Sequence, residues 1–153
     1  MKFELNGRSV SRDVRPNQSL LELLRDCGVS SVRGGCDTSN CGICTVWVED
    51  TPVLSCSYPA MRAEGKSVIT IEGVREEAQP LMECLANEGA DQCGYCSPGL
   101  LMSVLAMKRE LNNPTDDEIA AYLSGNLCRC TGYSSQMRAI RAYLEKEGVC
   151  HVR

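Results

Sequence analysis

Four cysteines in the first half of the sequence have the spacing of metal-cluster ligands. Cys36 and Cys41 are separated by four residues, Cys41 and Cys44 are separated by two, and Cys56 follows further along the chain. Thiolates at these spacings are typical of plant-type [2Fe-2S] sites, in which four cysteines bind two irons. The stretch from Gly34 to Cys56 therefore predicts a [2Fe-2S] cluster.

Three glycines of the same stretch fit such a site. Gly34 and Gly35 precede Cys36, and Gly42 follows Cys41. A residue without a Cβ atom adopts φ > 0 easily and turns its N–H toward sulfur that carries negative charge. We expect the backbone of this loop to point N–H groups at the sulfur atoms.

Zinc and disulfide bonds are the alternative uses of these cysteines. Zinc sites usually pair two short Cys-x2-Cys hooks, whereas here a gap of four residues is joined to a gap of two. The pattern favours iron and sulfide, and zinc remains the alternative.

Four further cysteines lie in two short motifs of the second half. Cys93 and Cys96 belong to the string QCGYC, and Cys128 and Cys130 belong to NLCRCTGY. Each motif comes just before a predicted helix, where free N–H groups and the helix dipole lower thiol pKa and favour an anionic cluster. Taken alone, these two motifs would suit zinc or a redox-active cysteine pair about as well.

Composition limits the class of protein. The chain has 153 residues, of which 43% are hydrophobic and 24% are charged, and it contains eleven cysteines. The first residues lack the apolar core of a signal peptide, so we expect reduced thiols and a cytoplasmic location. No apolar run approaches the roughly 18 residues of a membrane span. The net charge of −4 argues against a nucleic-acid partner.

The first half of the chain is patterned as strands around one helix. Phe3 and Leu5 alternate with polar residues before Asn6-Gly7, which is a strong hairpin signal. Ser19 and Glu22 form a capping box that predicts a helix ending near Gly28. Further strands are predicted over 45–48 and 53–56, on either side of a polar turn containing Pro52, and over 68–71.

The second half is patterned as four helices. Pro80 is expected as the first residue of one helix, whose apolar stripe includes Cys84, and Ser97-Pro98 is expected to begin the next. Thr115 and Glu118 form a capping box for a third helix ending at 124–125, and apolar residues over 137–144 predict a fourth. The polar segment 73–79 is predicted as the linker, and Cys27 and Cys84 as core residues.

The sequence resembles a known family over nearly its whole length. The matching strings are GGCDTSNCGICTV, PVLSC, TIEGV, QCGYCSPG and SGNLCRCTGY, in the order and at spacings similar to those of the family. The family is that of the small iron–sulfur subunits of the molybdenum hydroxylases, which include xanthine dehydrogenase, aldehyde oxidoreductase and aerobic carbon monoxide dehydrogenase. Ser134-Ser135-Gln136 and Asp37-Thr38-Ser39-Asn40 depart from its usual pattern.

The resemblance implies an α+β fold with two domains. Residues 1–75 would form a ferredoxin-like β-grasp domain, and residues 76–153 a four-helix-bundle domain. Each domain would bind one [2Fe-2S] cluster. The first ligand set would be Cys36, Cys41, Cys44 and Cys56, and the second would be Cys93, Cys96, Cys128 and Cys130.

The resemblance also implies a path for electrons and a set of partners. A large catalytic subunit oxidises substrate at a molybdopterin site, the second cluster takes the electrons, and the first cluster passes them to FAD on another subunit. Gln92 and Cys130 match positions that approach the pterin. The chain would then be part of a hetero-oligomer and would not be catalytic alone.

The chain lacks the motifs that would let it perform the oxidation itself. It has no glycine-rich dinucleotide or phosphate loop, and its one histidine, His151, stands beside Cys150. A Rieske centre needs two histidines and is excluded. The prediction is an electron-transfer subunit, and the alternatives are a free-standing two-cluster ferredoxin and a zinc-stabilised interaction module.

Overall fold

A five-stranded sheet is formed by the first half of the chain in the computed structural model, which describes residues 1–145. The strand order is β2-β1-β5-β3-β4, in which β1 and β5 are parallel and the other neighbouring pairs are antiparallel. The strands are β1 (Lys2–Leu5), β2 (Arg8–Ser11), β3 (Thr45–Val48), β4 (Thr51–Leu54) and β5 (Ser67–Ile69).

One helix packs on this sheet. Helix α1 spans Leu20–Asp26, and both hydrogen bonds of the predicted capping box between Ser19 and Glu22 are present. Its apolar stripe is buried in a core that it shares with Phe3 and Val46. Burying each such side chain contributes about 1.5–3 kcal/mol, so this core holds the helix against the sheet. Cys27 caps the end of α1 and packs, half-buried, at the edge of the same core.

The turn between β3 and β4 differs from the predicted one. Glu49 and Asp50 form it, and both have positive φ, at 52° and 61°. Pro52 lies inside β4, opposite Trp47. Because β4 is at the edge of the sheet, a residue without an N–H removes no hydrogen bond between strands there.

Four α-helices follow within the described residues of the second half. Helix α3 packs against β3, and helices α2 and α5 pack side by side. Single turns of 3-10 helix precede α2 and follow α4. The helices are α2 (Arg75–Asn87), α3 (Ser97–Glu110), α4 (Asp116–Tyr122) and α5 (Ser134–Glu145).

The predicted linker and the predicted start of α2 are wrong. Residues 71–74 form the 3-10 turn, α2 begins at Arg75, and Pro80 lies within the helix. The missing N–H of Pro80 removes the bond to the carbonyl of Glu76 in the first turn, where acidic residues favour the helix through its dipole. Residues 75–79 are therefore helix and not linker.

The two halves meet around Trp47. Its side chain is fully buried and belongs to the core of the helices, together with Leu101 and Leu105 of α3. The indole N–H donates to the carbonyl oxygen of Met102 at 3.0 Å, and the guanidinium of Arg109 lies 4.2 Å from the ring centroid. The sheet and the helices thus share one core at this seam.

The mixed helix-and-sheet character predicted from the sequence is confirmed. Cys84 is buried in the core of the helices, as predicted. Cys150 and His151 lie outside the described residues. Within residues 1–145, no helix combines the length and apolarity that crossing a bilayer requires.

Candidate metal centres

The first cysteine loop is anchored by the hairpin of β3 and β4. Cys44 immediately precedes β3 and Cys56 follows β4 by one residue, so the hairpin brings these two cysteines together. Ser55 fixes this closure, because its N–H and its hydroxyl both donate to the carbonyl oxygen of Cys44, at 3.3 and 2.7 Å. Cys36 and Cys41 lie on the irregular loop before β3.

The thiols of this loop interact in two pairs. Cys36 interacts with Cys41, and Cys44 interacts with Cys56. Cys41 and Cys44 are buried, whereas Cys36 and Cys56 are half-buried. A pair of sulfur atoms on each side is the arrangement that two irons, each with two thiolate ligands, require.

Backbone N–H groups of the loop favour a negative charge at its outer edge. Donation from the N–H of Asn40, and then from the Cys41 thiol and the N–H of Thr38, lowers the pKa of Cys36 to about 6. Burial raises the pKa of Cys41, although the N–H groups of Ile43 and Gly35 oppose this effect. Burial, followed by the neighbouring Cys56, raises the pKa of Cys44 to about 11.

Glycine is needed at two positions of the loop for different reasons. Gly42 has φ of +70°, which side chains rarely adopt, and a Cβ there would lie 2.3 Å from the carbonyl oxygen of Gly125. Gly35 does not have positive φ, but a Cβ there would lie 2.3 Å from Ile43 Cδ1 and 3.3 Å from Cys41 Sγ. The expectation of positive φ is confirmed for Gly42 and is wrong for Gly34 and Gly35. At Gly35, the reason for glycine is the crowding around Cys41 and not the value of φ.

The second set of cysteines is positioned by the starts of two helices. Cys96 is the N-cap residue of α3, with Cys93 just before it, and Cys128 and Cys130 precede α5. These thiols also interact in pairs, Cys96 with Cys128 and Cys93 with Cys130. The contact joins two segments that are more than thirty residues apart in the sequence.

The two pairs of the second set differ in exposure: Cys96 and Cys128 are half-buried, and Cys93 and Cys130 are exposed. Burial, followed by the neighbouring Cys128, raises the pKa of the half-buried Cys96 to about 12. Burial opposes ionisation of Cys128, but donation from the hydroxyl and the N–H of Thr131 outweighs it and lowers the pKa of Cys128. Cys93 and Cys130 are exposed, and interaction with the Cys93 thiol raises the pKa of Cys130.

The grouping of the thiols bears on the kind of metal that fits. Within residues 1–145, no three cysteine, histidine, aspartate or glutamate side chains converge on a point that could hold one ion. The thiols at each site instead form two pairs, which suit a cluster in which each iron takes two thiolates, so the donor set fits [2Fe-2S].

The two cysteine loops touch each other. The N–H of Leu127, next to Cys128, donates to the carbonyl oxygen of Cys41 at 2.9 Å. Gly99 in the first turn of α3 lies against the first loop, where an added Cβ would be 2.3 Å from the carbonyl oxygen of Gly42. Residues of both loops, including Cys41, Cys96 and Cys128, lie around this contact.

The structure places Gln92 on the surface, directly before the exposed Cys93. Sequence reasoning missed the residues that join the two loops, Arg33, Tyr95 and Leu127. Tyr95 stands inside the QCGYC motif and could be noticed in the sequence. Its partner, the carbonyl oxygen of Gly34, lies 61 residues away in the chain and could not.

Comparisons with known proteins agree with this site. Residues 3–70 match the family described as 2Fe-2S iron-sulfur cluster binding domain, and residues 70–141 match the family described as [2Fe-2S] binding domain. The sheet with its four cysteines and the helices with theirs therefore define a protein with two [2Fe-2S]-binding domains.

Two relatives are separate small subunits of comparable length. The chain is 43% identical to the nicotinate dehydrogenase small FeS subunit of Eubacterium barkeri, with 95% of each chain covered. It is 44% identical to the xanthine dehydrogenase iron-sulfur-binding subunit of Escherichia coli O157:H7, with 84% of each covered. In contrast, it spans 12% of xanthine dehydrogenase 2 of Arabidopsis thaliana, at 39% identity.

Solved structures give the same result. A chain of quinoline 2-oxidoreductase from Pseudomonas putida 86 superimposes with a TM-score of 0.84 at 31% identity, with 97% of each chain covered. Aldehyde oxidoreductase from Desulfovibrio gigas superimposes with a TM-score of 0.85 at 29% identity, over 96% of this chain and 17% of that one.

The chain belongs to the family of small [2Fe-2S] iron–sulfur subunits of the molybdenum hydroxylases. It is an electron-transfer subunit of an oxidoreductase and is not catalytic alone.

Proposed function

We propose that the eight paired thiols hold two [2Fe-2S] clusters. The two pairs of interacting thiols at each site support this assignment most directly. The first ligand set is Cys36, Cys41, Cys44 and Cys56, and the second is Cys93, Cys96, Cys128 and Cys130.

When bound, each cluster supplies one-electron transfer. The residues of this chain hold the sulfur atoms and control their surroundings. The N–H groups of Thr38 and Asn40 donate to Cys36, and the hydroxyl of Thr131 donates to the sulfur of Cys128 at 3.3 Å. Burial of Cys41 and Cys44 keeps water from the inner side of the first site.

The two sites differ in exposure, and this difference supports a direction for the electrons. Cys93 and Cys130 are exposed beside the exposed Gln92, whereas Cys96 and Cys128 face the first loop. We assign the outer side of the second site to a molybdopterin cofactor on a larger catalytic subunit, with Gln92 and Cys130 as contacts. Electrons would enter there and leave from the first site to FAD on a further subunit.

A direct link between the loops supports the step in the middle of this path. The N–H of Leu127 donates a hydrogen bond to the carbonyl oxygen of Cys41. Only a few covalent bonds separate this hydrogen bond from the sulfur of Cys41 on one side and from the sulfur of Cys128 on the other. Since Cys41 and Cys128 belong to different ligand sets, this bond offers a short through-bond route between the clusters.

The fold supports a division into two domains. We assign residues 1–75 to a ferredoxin-like β-grasp domain, since α1 packs on a mixed five-stranded sheet. We assign residues 76–153 to a four-helix bundle, of which α2, α3, α4 and α5 are described. The chain would act in a hetero-oligomer, and we assign that complex to the cytoplasm.

Several substrates occur in the names of the relatives, namely nicotinate, xanthine and quinoline. Since chains this similar serve different substrates, the substrate is decided in the catalytic subunit and not here.

Metal analysis with electron paramagnetic resonance (EPR) tests the assignment. We expect four irons and four acid-labile sulfides per chain and two distinct reduced EPR species. Cys56→Ser should remove one species and Cys128→Ser the other, while Cys27→Ser, which changes a cysteine outside both sets, should keep both. Stoichiometric zinc without labile sulfide, or loss of the same species from both variants, would contradict the two sets. Purification of a tagged chain together with larger subunits distinguishes a subunit from a free-standing ferredoxin.

A further inference from the structure

Arg33 reaches from the first cysteine loop to the second. It stands just before Gly34, and its Nη1 donates to the carbonyl oxygens of Gly94 at 2.9 Å and Tyr95 at 3.4 Å. Gly94 and Tyr95 are the two residues between Cys93 and Cys96. One guanidinium group therefore joins the two cysteine loops.

Tyr95 completes this connection from the other side. Its hydroxyl donates to the carbonyl oxygen of Gly34 at 2.8 Å, and the guanidinium carbon of Arg33 lies 5.2 Å from its ring centroid. A cation over the face of an aromatic ring is attracted by the ring quadrupole. Residues 33–34 and 94–95 thus hold each other through reciprocal contacts, which fix the position of the guanidinium.

No carboxylate neutralises this guanidinium within the described chain. The ion pairs found among residues 1–145 involve Arg15, Arg109, Arg138 and Arg141, and none involves Arg33. Its side chain is half-buried, and its partners are backbone carbonyl groups and a ring. The two segments that it joins carry the two sets of cysteines, since Cys36 follows Gly34 and Gly35, and Gly94 and Tyr95 stand between Cys93 and Cys96.

We propose that Arg33 is a positioning residue whose fixed positive charge raises the reduction potential of both clusters. The proposal rests on the proposed function, because it requires a cluster in each loop. Reduction of either site adds one electron and one negative charge. A nearby fixed cation stabilises that additional charge, and partial burial limits its screening by salt.

Redox titration of the holoenzyme, followed by EPR, tests this proposal. In Arg33→Gln, we expect the reduction equilibrium constant of each cluster to fall about tenfold, which is about 59 mV for a one-electron couple. Arg33→Lys keeps the charge and should keep both potentials near those of the wild type. Arg33→Met, which keeps the aliphatic stem against Tyr95, is a second neutral variant and should behave like Arg33→Gln.

Two further variants separate the local charge from other effects. Arg8→Gln makes the same change of net charge on the exposed strand β2 at the far edge of the sheet, and should shift neither potential. Tyr95→Phe removes the bond to Gly34 but keeps the ring and the two carbonyl groups that hold the guanidinium of Arg33, and should also leave the potentials unchanged.

Several outcomes would overturn the assignment of Arg33. They are unchanged potentials in both neutral variants, a shift of one cluster alone, or a shift in Arg33→Lys or Tyr95→Phe as large as in Arg33→Gln. Loss of iron from both neutral variants would also overturn it, because Arg33 would then be a structural residue. Absence of two EPR species in the wild-type protein would instead contradict the proposed function.

Discussion

Gly99 controls how closely the two cysteine loops approach each other. A Cβ at this position would lie 2.3 and 2.6 Å from the carbonyl oxygens of Gly42 and Ile43, which are backbone atoms of the first loop. Backbone atoms beside bound sulfur cannot move aside cheaply. We therefore expect Gly99→Ala to lower the free energy of unfolding by about 1–3 kcal/mol, although alanine favours a helix more than glycine does.

Gly125→Ala is the matched control for this prediction, since a Cβ there meets no atom within 4 Å. Denaturant unfolding of the two iron-loaded variants, followed by circular dichroism, gives the comparison. Equal midpoints would show that the loops do not depend on the close approach at Gly99.

The proposed role of Gln92 lies at the contact with the catalytic subunit. In the assembled enzyme, we expect Gln92→Ala to slow reduction of the iron–sulfur centres by substrate several-fold. The reason is that one lost hydrogen bond is worth about 0.5–1.5 kcal/mol. Asn40→Asp, on the first loop, should leave that step unchanged and affect the later transfer to flavin. Rapid-mixing spectroscopy resolves the two steps, and the opposite result would mean that the chain docks the other way round.

At the scale of single residues, short-range features were predictable and long-range contacts were not. The spacing of Cys36, Cys41 and Cys44 is visible in nine residues of sequence. The bond between Leu127 and Cys41 joins residues 86 positions apart, and it depends on how α3 packs on β3. No local pattern encodes such a contact, so the sequence did not indicate it.

Helix α4 is a short element that depends on its first turn. Thr115 accepts from the N–H of Glu118, and the carboxylate of Glu118 accepts from the N–H and the hydroxyl of Thr115, at 2.7 and 2.8 Å. The donation from the Thr115 backbone, and then from its hydroxyl, lowers the pKa of Glu118 from 4.5. A seven-residue helix is too short to be stable alone, so the cap and the burial of Ile119 keep it formed.

This shift makes the stability of α4 depend on pH. Because the pKa of Glu118 is lower in the folded state, its stabilising contribution is complete above about pH 4.5 and is lost as the pH falls through the folded value. Compared with Glu118→Gln, the wild type should lose more of its unfolding free energy as the pH falls from about 5 to about 3. Glu145→Gln, at the end of α5, should follow the wild type. Parallel pH profiles for wild type and Glu118→Gln would contradict the role of this carboxylate.

At the scale of elements, the types of the helices and strands were predictable, and errors fell on prolines. Both capping boxes begin helices where the sequence placed them. Pro80 was predicted to start a helix but lies within one, and Pro52 was predicted in a turn but lies in an edge strand. Proline restricts φ and removes one donor, and the tertiary position of the element decides whether that donor is needed.

The whole molecule combines two small halves with one shared seam. A core of about this size supplies only about 3–5 kcal/mol for each half, so bound clusters should contribute much of the stability. We expect the protein without iron to lose cooperative melting. The helical half should lose more, because the paired thiols of Cys96 and Cys128 join the starts of α3 and α5.

Thermal melting followed by circular dichroism, on protein with iron removed and then restored, measures this effect. Restored protein is the control for damage during iron removal. An unchanged cooperative transition without iron would show that the hydrophobic cores suffice alone.

The seam at Trp47 also gives the chain an optical probe. The sequence contains one tryptophan, and its buried ring bridges the sheet and α3 while its N–H bonds to Met102. Its fluorescence therefore reports on one place, the junction between the two halves. Separation of the halves would expose the indole to water and move its emission to longer wavelength, without any label being attached. Loosening of this junction can then be followed in the isolated chain in real time.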